Sequence, residues 1–199
     1  MIDYLSNHTA NVKGNPRALV VDVAGKNGAF AKDLASHLPQ THFEVLDPNQ
    51  PAHQNGNSVS SDPSERLTFR QVADPLSPPS TTDEVAHLYG NSKWDQIVFL
   101  IRGTLWNLND EQVVSALRGY VPVLTTLQRE QGVKVSVIVS DLVSPDWGTF
   151  EPHVERAYRR RDVTLMTMHN VKQRTRGDWE GLVREAFQAS GVEGFKVCL

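Results

Sequence analysis

Residues Ala18 to Asp47, ALVVDVAGKNGAFAKDLASHLPQTHFEVLD, decide how the rest of the chain is read. Leu19 to Asp22, with Val23 beyond, is a run of β-favouring positions ending on a carboxylate, the pattern of a buried strand. Five turn residues follow, Ala24-Gly25-Lys26-Asn27-Gly28, and then Phe30, Leu34 and Leu38 recur four apart, which predicts a helix. His42 to Leu46 predicts a second strand, closed by Asp47. Strand, glycine turn, helix, strand and acid make the opening unit of a doubly wound α/β sheet of the nucleotide-binding kind. In such a unit the helix N-terminus faces a negative or polar ligand group, and the second acid can accept hydrogen bonds from a ribose. The glycine pattern is incomplete, so a plain connecting turn is the competing reading of the same residues.

Working outward, the rest of the chain repeats the alternation. Pro48 to Glu65 is rich in Asn, Ser, Pro and Gln and reads as a mobile surface loop, or as a short irregular crossover where other folds place a helix. Leu67 to Val72 predicts a third strand before Asp74-Pro75, and Thr82 to Leu88 a short helix. Trp94 to Ile101 predicts a fourth, strongly apolar strand. Asn109 as N-cap with Gln112 three residues on forms a capping box, and Val113, Leu117, Val121 and Leu124 line one face of the helix that follows. Val133 to Val139 predicts a fifth strand ending at Ser140-Asp141, Glu151 to Met168 a helix, Asp178 to Ser190 another, and Gly194 to Leu199 a last strand. The expected fold is a three-layer, doubly wound, mostly parallel sheet, with residues 1–17 as a polar lead-in to an α/β domain over residues 18–199. Asp22, Asp47, Asp74 and Asp141 all fall at the carboxyl ends of strands, where such sheets hold ligands.

Composition narrows the partners. A length of 199 residues with 39% hydrophobic and 22% charged residues is that of one globular domain. A net charge of −3 provides no electrostatic footprint for nucleic acid, and Arg159-Arg160-Arg161 reads as the solvated face of a helix. A single cysteine, Cys198, excludes an internal disulfide framework and fits a reducing compartment. No apolar run approaches the ~18 residues of a membrane span, and Met1-Ile2-Asp3 opens no signal peptide, so a cytoplasmic protein without a membrane partner is expected. The seven histidines and the cysteine show no zinc-ligand spacing, and no metal is expected.

Four segments carry a specific resemblance: VVDVAGKNGAF, LTFRQVADPL, IVFLIRGTLWNLNDEQVVSALRGYVPVL, and VIVSDLVSPD with DVTLMTMHNVKQRT. In their order the chain resembles the catalytic domain of S-adenosylmethionine-dependent O-methyltransferases of the plant caffeate and fungal secondary-metabolite type. The resemblance implies the class I methyltransferase fold, Rossmann-like, with S-adenosylmethionine as cofactor and a small hydrophobic or aromatic metabolite as partner. It assigns the cofactor to Asp22, Ala24, Gly25, Gly28, Asp47, Asp74 and Arg102, with Asp47 on the ribose and Asp74 near the adenine. It places the catalytic positions and their neighbours at Trp106, Asn107, Asp141, His169 and Gln173.

Three departures from the family pattern shape the functional expectation. Ala24 and Lys26 stand where the family's turn has glycines that allow close approach and positive φ. Leu105-Trp106-Asn107-Leu108 stands where the family has Leu-His-Asp-Trp, and the glutamate that orients that histidine is Gln173, before Arg174-Thr175. Indole donates a hydrogen bond but takes no proton, and loss of a general base costs about 10²–10⁴-fold in rate. His169, where the family lines its acceptor pocket, is a candidate substitute base, and Trp106 and Trp147 are a candidate apolar lid. Members of the family that it resembles carry an N-terminal dimerisation domain, which this chain is expected to lack, and a final strand pair that here looks truncated. An open sheet edge invites pairing, so a homo-oligomer or a complex with a longer homologue is expected. Three functions stay open: a pseudo-enzyme or partner subunit, a non-methylating catalyst of cyclisation, isomerisation or dehydration, and an active O-methyltransferase on a small aromatic or polyketide acceptor.

Overall fold

A computed structural model describes residues 17–49, 66–90 and 94–188. Five strands form one sheet: β1 (Ala18–Val23), β2 (Thr41–Asp47), β3 (Leu67–Gln71), β4 (Gln96–Arg102) and β5 (Lys134–Ser140), in the order β3-β2-β1-β4-β5. The pairs β1–β2, β1–β4 and β2–β3 are parallel, with Val20 opposite both Phe43 and Val98. The helices are α1 (Ala29–His37), α2 (Thr82–Tyr89), α3 (Asp110–Thr125), α4 (Pro152–His169) and α5 (Arg176–Phe187). The doubly wound reading of the sequence is therefore the fold. Among the described residues two compact units separate, one running to Arg102 with Pro122–Val139, the other formed by Gly103–Val121 and the residues from Ser140 on.

β1 and β4 are apolar on both faces because a parallel sheet is covered on both sides. With side chains alternating at period two, Val20, Val98 and Leu100 share a core with Phe43 and Val45 of β2 and with Ala31, Leu34, Ala35 and Leu38 from the α1 segment. The opposite face carries Phe99, against which Tyr89 of α2 packs edge-on at 5.4 Å between ring centroids. The order reverses at β1, and right-handed crossovers then put α1 and α2 on opposite faces.

Buried charge locks the left half of the sheet. Arg66, immediately before β3, is 2% exposed and donates to the carbonyls of Ala35, Leu38 and Thr41 at 2.7–2.9 Å, closing the end of α1. Arg70 of β3 grips Glu44 of β2 with two bonds, at 2.9 and 3.0 Å, and also donates to the Tyr89 hydroxyl. Burial among these partners drives the Tyr89 hydroxyl pKa upward.

The sequence places most element bounds within a few residues, with two informative shifts. β4 begins at Gln96 rather than Trp94, and Trp94 instead meets His42 with ring centroids 5.1 Å apart. α5 begins at Arg176 rather than Asp178, because Thr175 accepts the Asp178 amide while Asp178 accepts back from Thr175 in a capping box. The capping box at Asn109 and Gln112 is present at 2.9 and 3.0 Å. On α3, Val113, Leu117 and Leu124 are buried as expected, but Tyr120 and Val123 are buried where Val121 was expected. The lead-in, most of the Pro48–Glu65 loop, Cys198 and the last predicted strand lie outside the described residues.

Candidate functional site

In the first unit the turn between β1 and α1 takes the left-handed backbone that glycine adopts without strain. Ala24 has φ 58° and Lys26 φ 54°, both left-handed, with Gly28 at φ 69° as the N-cap of α1. The two substituted positions thus keep the glycine backbone at a cost of about 1–2 kcal/mol each. The two retained glycines are fixed by space. A Cβ on Gly25 would lie 2.5 Å from Asp22 Oδ2 and 2.9 Å from Val45 Cγ1, and one on Gly28 would lie 2.7 Å from the Phe69 ring.

Asp22 lies under this turn, 1% exposed, and its Oδ2 is buried without a hydrogen-bond partner. Burial pushes its carboxyl up to about 6, with the Arg102 guanidinium tempering the rise. Arg102, at the end of β4, lies over the Phe30 ring at 4.1 Å. Asp47 closes the turn from β2: Oδ2 accepts the Lys26 amide at 3.2 Å and Oδ1 the Asn49 amide at 2.9 Å. The Gly25 amide adds a bond to the Leu46 carbonyl at 3.2 Å. Asp74 accepts within its own exposed turn, the Leu76 amide at 2.9 Å and the Ser77 hydroxyl at 2.7 Å.

In the second unit, Leu105–Asn107 forms a single 3-10 turn that carries Trp106 and Asn107. Asp141, just past β5, accepts the Leu105 amide through Oδ2 at 2.8 Å and the Leu142 amide through Oδ1 at 2.7 Å. The structure brings Trp106 and His169 together, edge to face, with ring centroids 6.1 Å apart. His169 ends α4 and is exposed, as is Asn107. Gln173 turns toward α4: its amide N–H donates to Asp162 at 2.7 Å, and its side chain, with nitrogen facing Tyr158, bonds the Tyr158 carbonyl at 3.3 Å and Arg161 at 3.2 Å. Trp147 is 77% exposed and stacks on Arg159 at 3.8 Å, so the two tryptophans expected to form a lid take different partners. Arg159 is thereby partly buried between Trp147 and Glu155, unlike its solvated neighbours Arg160 and Arg161.

One residue of this unit escaped the site reading. Arg174 is 2% exposed and donates to Asp110 at 2.8 Å and to the carbonyls of Leu105 and Leu108 at 3.2 and 2.6 Å. The signal for it was its place between Gln173 and Thr175 in the matched motif. Among the described residues no group of three or more His, Cys, Asp or Glu could hold a metal ion, and no helix is long and apolar enough to cross a membrane.

No family model matches the chain. Among curated proteins, the O-methyltransferase phnC of Penicillium herquei is 44% identical over 180 residues, 90% of this chain and 38% of that protein. The O-methyltransferase aurJ of Gibberella zeae is 26% identical over 174 residues, 85% of this chain and 36% of that one. The O-methyltransferase of the grayanic acid biosynthesis cluster of Cladonia grayi is 27% identical over 168 residues, 83% of this chain and 33% of that one. The chain thus spans between a third and two fifths of the length of these relatives. Two solved structures share its fold at 18% identity and 93% coverage of this chain. The methyltransferase CalO1 of calicheamicin biosynthesis, bound to S-adenosylhomocysteine, superposes with a TM-score of 0.54 over 49% of its chain. The O-methyltransferase NcsB1 of neocarzinostatin biosynthesis, with S-adenosylhomocysteine and 1,4-dihydroxy-2-naphthoic acid, gives 0.55 over 50% of its chain.

Proposed function

We propose, from the premise that this chain is a homologue of the S-adenosylmethionine-dependent O-methyltransferases of fungal secondary metabolism, that it keeps the cofactor turn and has given up histidine-driven methyl transfer. The observation that carries the first half is the orphaned Oδ2 of Asp22 beneath a turn that stays left-handed at Ala24 and Lys26. A buried carboxylate oxygen with no partner suits an ammonium such as the one on the methionine part of the cofactor. Asp47, which accepts two amides, keeps acceptor capacity for a ribose hydroxyl. The residues present therefore fit the cofactor, which when bound supplies an electrophilic methyl group. Asp22 would hold its charged end and Asp47 its sugar, and Asp74, which likewise accepts two bonds, keeps acceptor capacity as well.

The second half rests on the Trp106 turn. At the position of the family's base stands an indole, and Gln173, at the position of the orienting glutamate, bonds α4 instead. Without a group to take the acceptor's proton, hydroxyl methylation loses its general base. The chain then acts as a cofactor-binding partner subunit or on a bound metabolite without methylating it. The contact of His169 with the Trp106 ring favours a second reading, in which the histidine at the end of α4 receives a proton in place of the lost base.

Calorimetric titration with S-adenosylhomocysteine tests the cofactor half. Micromolar binding abolished in Asp22→Ala and weakened in Asp47→Ala is the expected result. Absence of binding up to millimolar ligand would overturn it.

A further inference from the structure

We infer that Arg174 is the positioning residue of the Trp106 turn, and that the orienting work of the Gln173-Arg174-Thr175 stretch lies with its second member rather than its first. The inference rests on the reading above that the Trp106 turn stands at the position of the family's base. Gln173 reaches α4 through both its amide N–H and its side chain, so it holds no part of the turn by those bonds. Arg174 does. Its Nη1 and Nη2 take the Leu105 and Leu108 carbonyls, which bracket Trp106 and Asn107, while Nε is fixed by Asp110 at the start of α3. The main chain of Arg174 is pinned in turn, its carbonyl accepting the Ser144 amide at 2.7 Å.

Leu105 is consequently held from both sides: Asp141 takes its N–H and Arg174 its C=O. With both peptide groups of Leu105 tied, the direction in which Trp106 leaves the backbone is set, and with it the approach of its ring to His169. Only a guanidinium does this. Its planar fork carries five donors at fixed angles, whereas an ammonium is a point charge with three donors that cannot span two carbonyls and a carboxylate at once. The guanidinium carbon lies over the Trp179 ring, 5.0 Å from its centroid.

The test compares wild type, Arg174→Lys and Asp110→Asn by NMR of the full chain, reading the His169 ring proton that the Trp106 ring current displaces, with Trp106→Phe as the reference for its loss. Arg174→Lys is expected to move that resonance at least halfway to the Trp106→Phe position and to speed hydrogen exchange of the Leu105 amide at least tenfold beyond the change in global stability. Asp110→Asn, in which the two carbonyl bonds survive, is expected to move it less and in the same direction. A purely structural arginine would lower the melting temperature and leave the His169 resonance and the relative Leu105 exchange where they are, and that result would overturn the inference. Should Arg174→Lys fail to fold, an unmoved His169 resonance in Asp110→Asn overturns it equally. S-adenosylhomocysteine titration of the wild type reports on the cofactor reading separately, because neither NMR readout needs the ligand.

Discussion

Ala24 and Lys26 show what a substitution costs when the backbone declines to follow it. Both sit at φ near +55°, where an L side chain crowds the following carbonyl. Lys26→Gly is expected to raise the unfolding free energy by up to about 1 kcal/mol in urea denaturation, the relief of strain being offset in part by the freer unfolded chain. Asp22 bears a different strain. Its ordinary carboxyl value of 3.8 rises to about 6 on folding, so the folded state prefers the protonated form. Stability from this group is full below the unfolded value, falls as the pH rises from 3.8 towards 6, and stays lost above. Asp22→Asn should therefore stabilise the protein at pH 7 by up to about 3 kcal/mol and flatten the decline between pH 4 and 6. A cationic ligand at Oδ2 needs the ionised form, so wild-type affinity for S-adenosylhomocysteine should increase from pH 5 to 7. A pH-independent affinity would remove Asp22 from the ligand.

At the scale of elements, chain ends are closed by side chains that arrive from elsewhere. Arg66 bonds two carbonyls at the end of α1, Ala35 and Leu38, and that of Thr41 at the start of β2, from 25 to 31 positions away. Arg66→Met keeps the stem and deletes the donors, leaving buried carbonyls without partners, and should cost about 3 kcal/mol in chemical denaturation. The start of α5 is closed locally instead, by Thr175 and Asp178. Thr175→Ala should cost about 1 kcal/mol there. The contrast is one of range: a local cap costs a turn its hydroxyl, whereas loss of Arg66 releases a helix end and the first residue of β2 together.

At the scale of the whole molecule, the chain shares the fold of methyltransferase structures, and the two turns on which the proposed function rests differ in how they are held. The turn at Ala24-Gly25-Lys26 is left-handed at its two non-glycine positions, while the Trp106 turn is anchored by Asp141 and Arg174 around a side chain that cannot take a proton. On the proposed reading, Trp106→His returns a proton acceptor to that turn and is expected to raise methyl transfer from labelled S-adenosylmethionine to phenolic acceptors above a wild-type background. Wild-type turnover equal to that of the variant would show that no base was lost at Trp106, and His169→Ala in the wild type would then identify whether His169 supplies it.

Alternation of apolar strands with period-four helices was readable because a parallel sheet buried on both faces demands it, residue by residue, wherever β1 and β4 run. The aspartates at strand ends were readable for the same reason: they mark where apolar runs stop. The φ angles of Ala24 and Lys26 were not, since nothing local requires a left-handed alanine or lysine. They are imposed by the Asp47 carboxylate reaching the Lys26 amide and by Val45 and Phe69 filling the space under the glycines. Nor could the sequence assign Arg174, whose three acceptors lie 64 to 69 positions away. The sequence determined which segments are strand, turn and helix and which family they resemble. Only the folded chain decided where each buried charge found its partners, because those partners come together by closing long loops, and spacing along the chain carries no record of that.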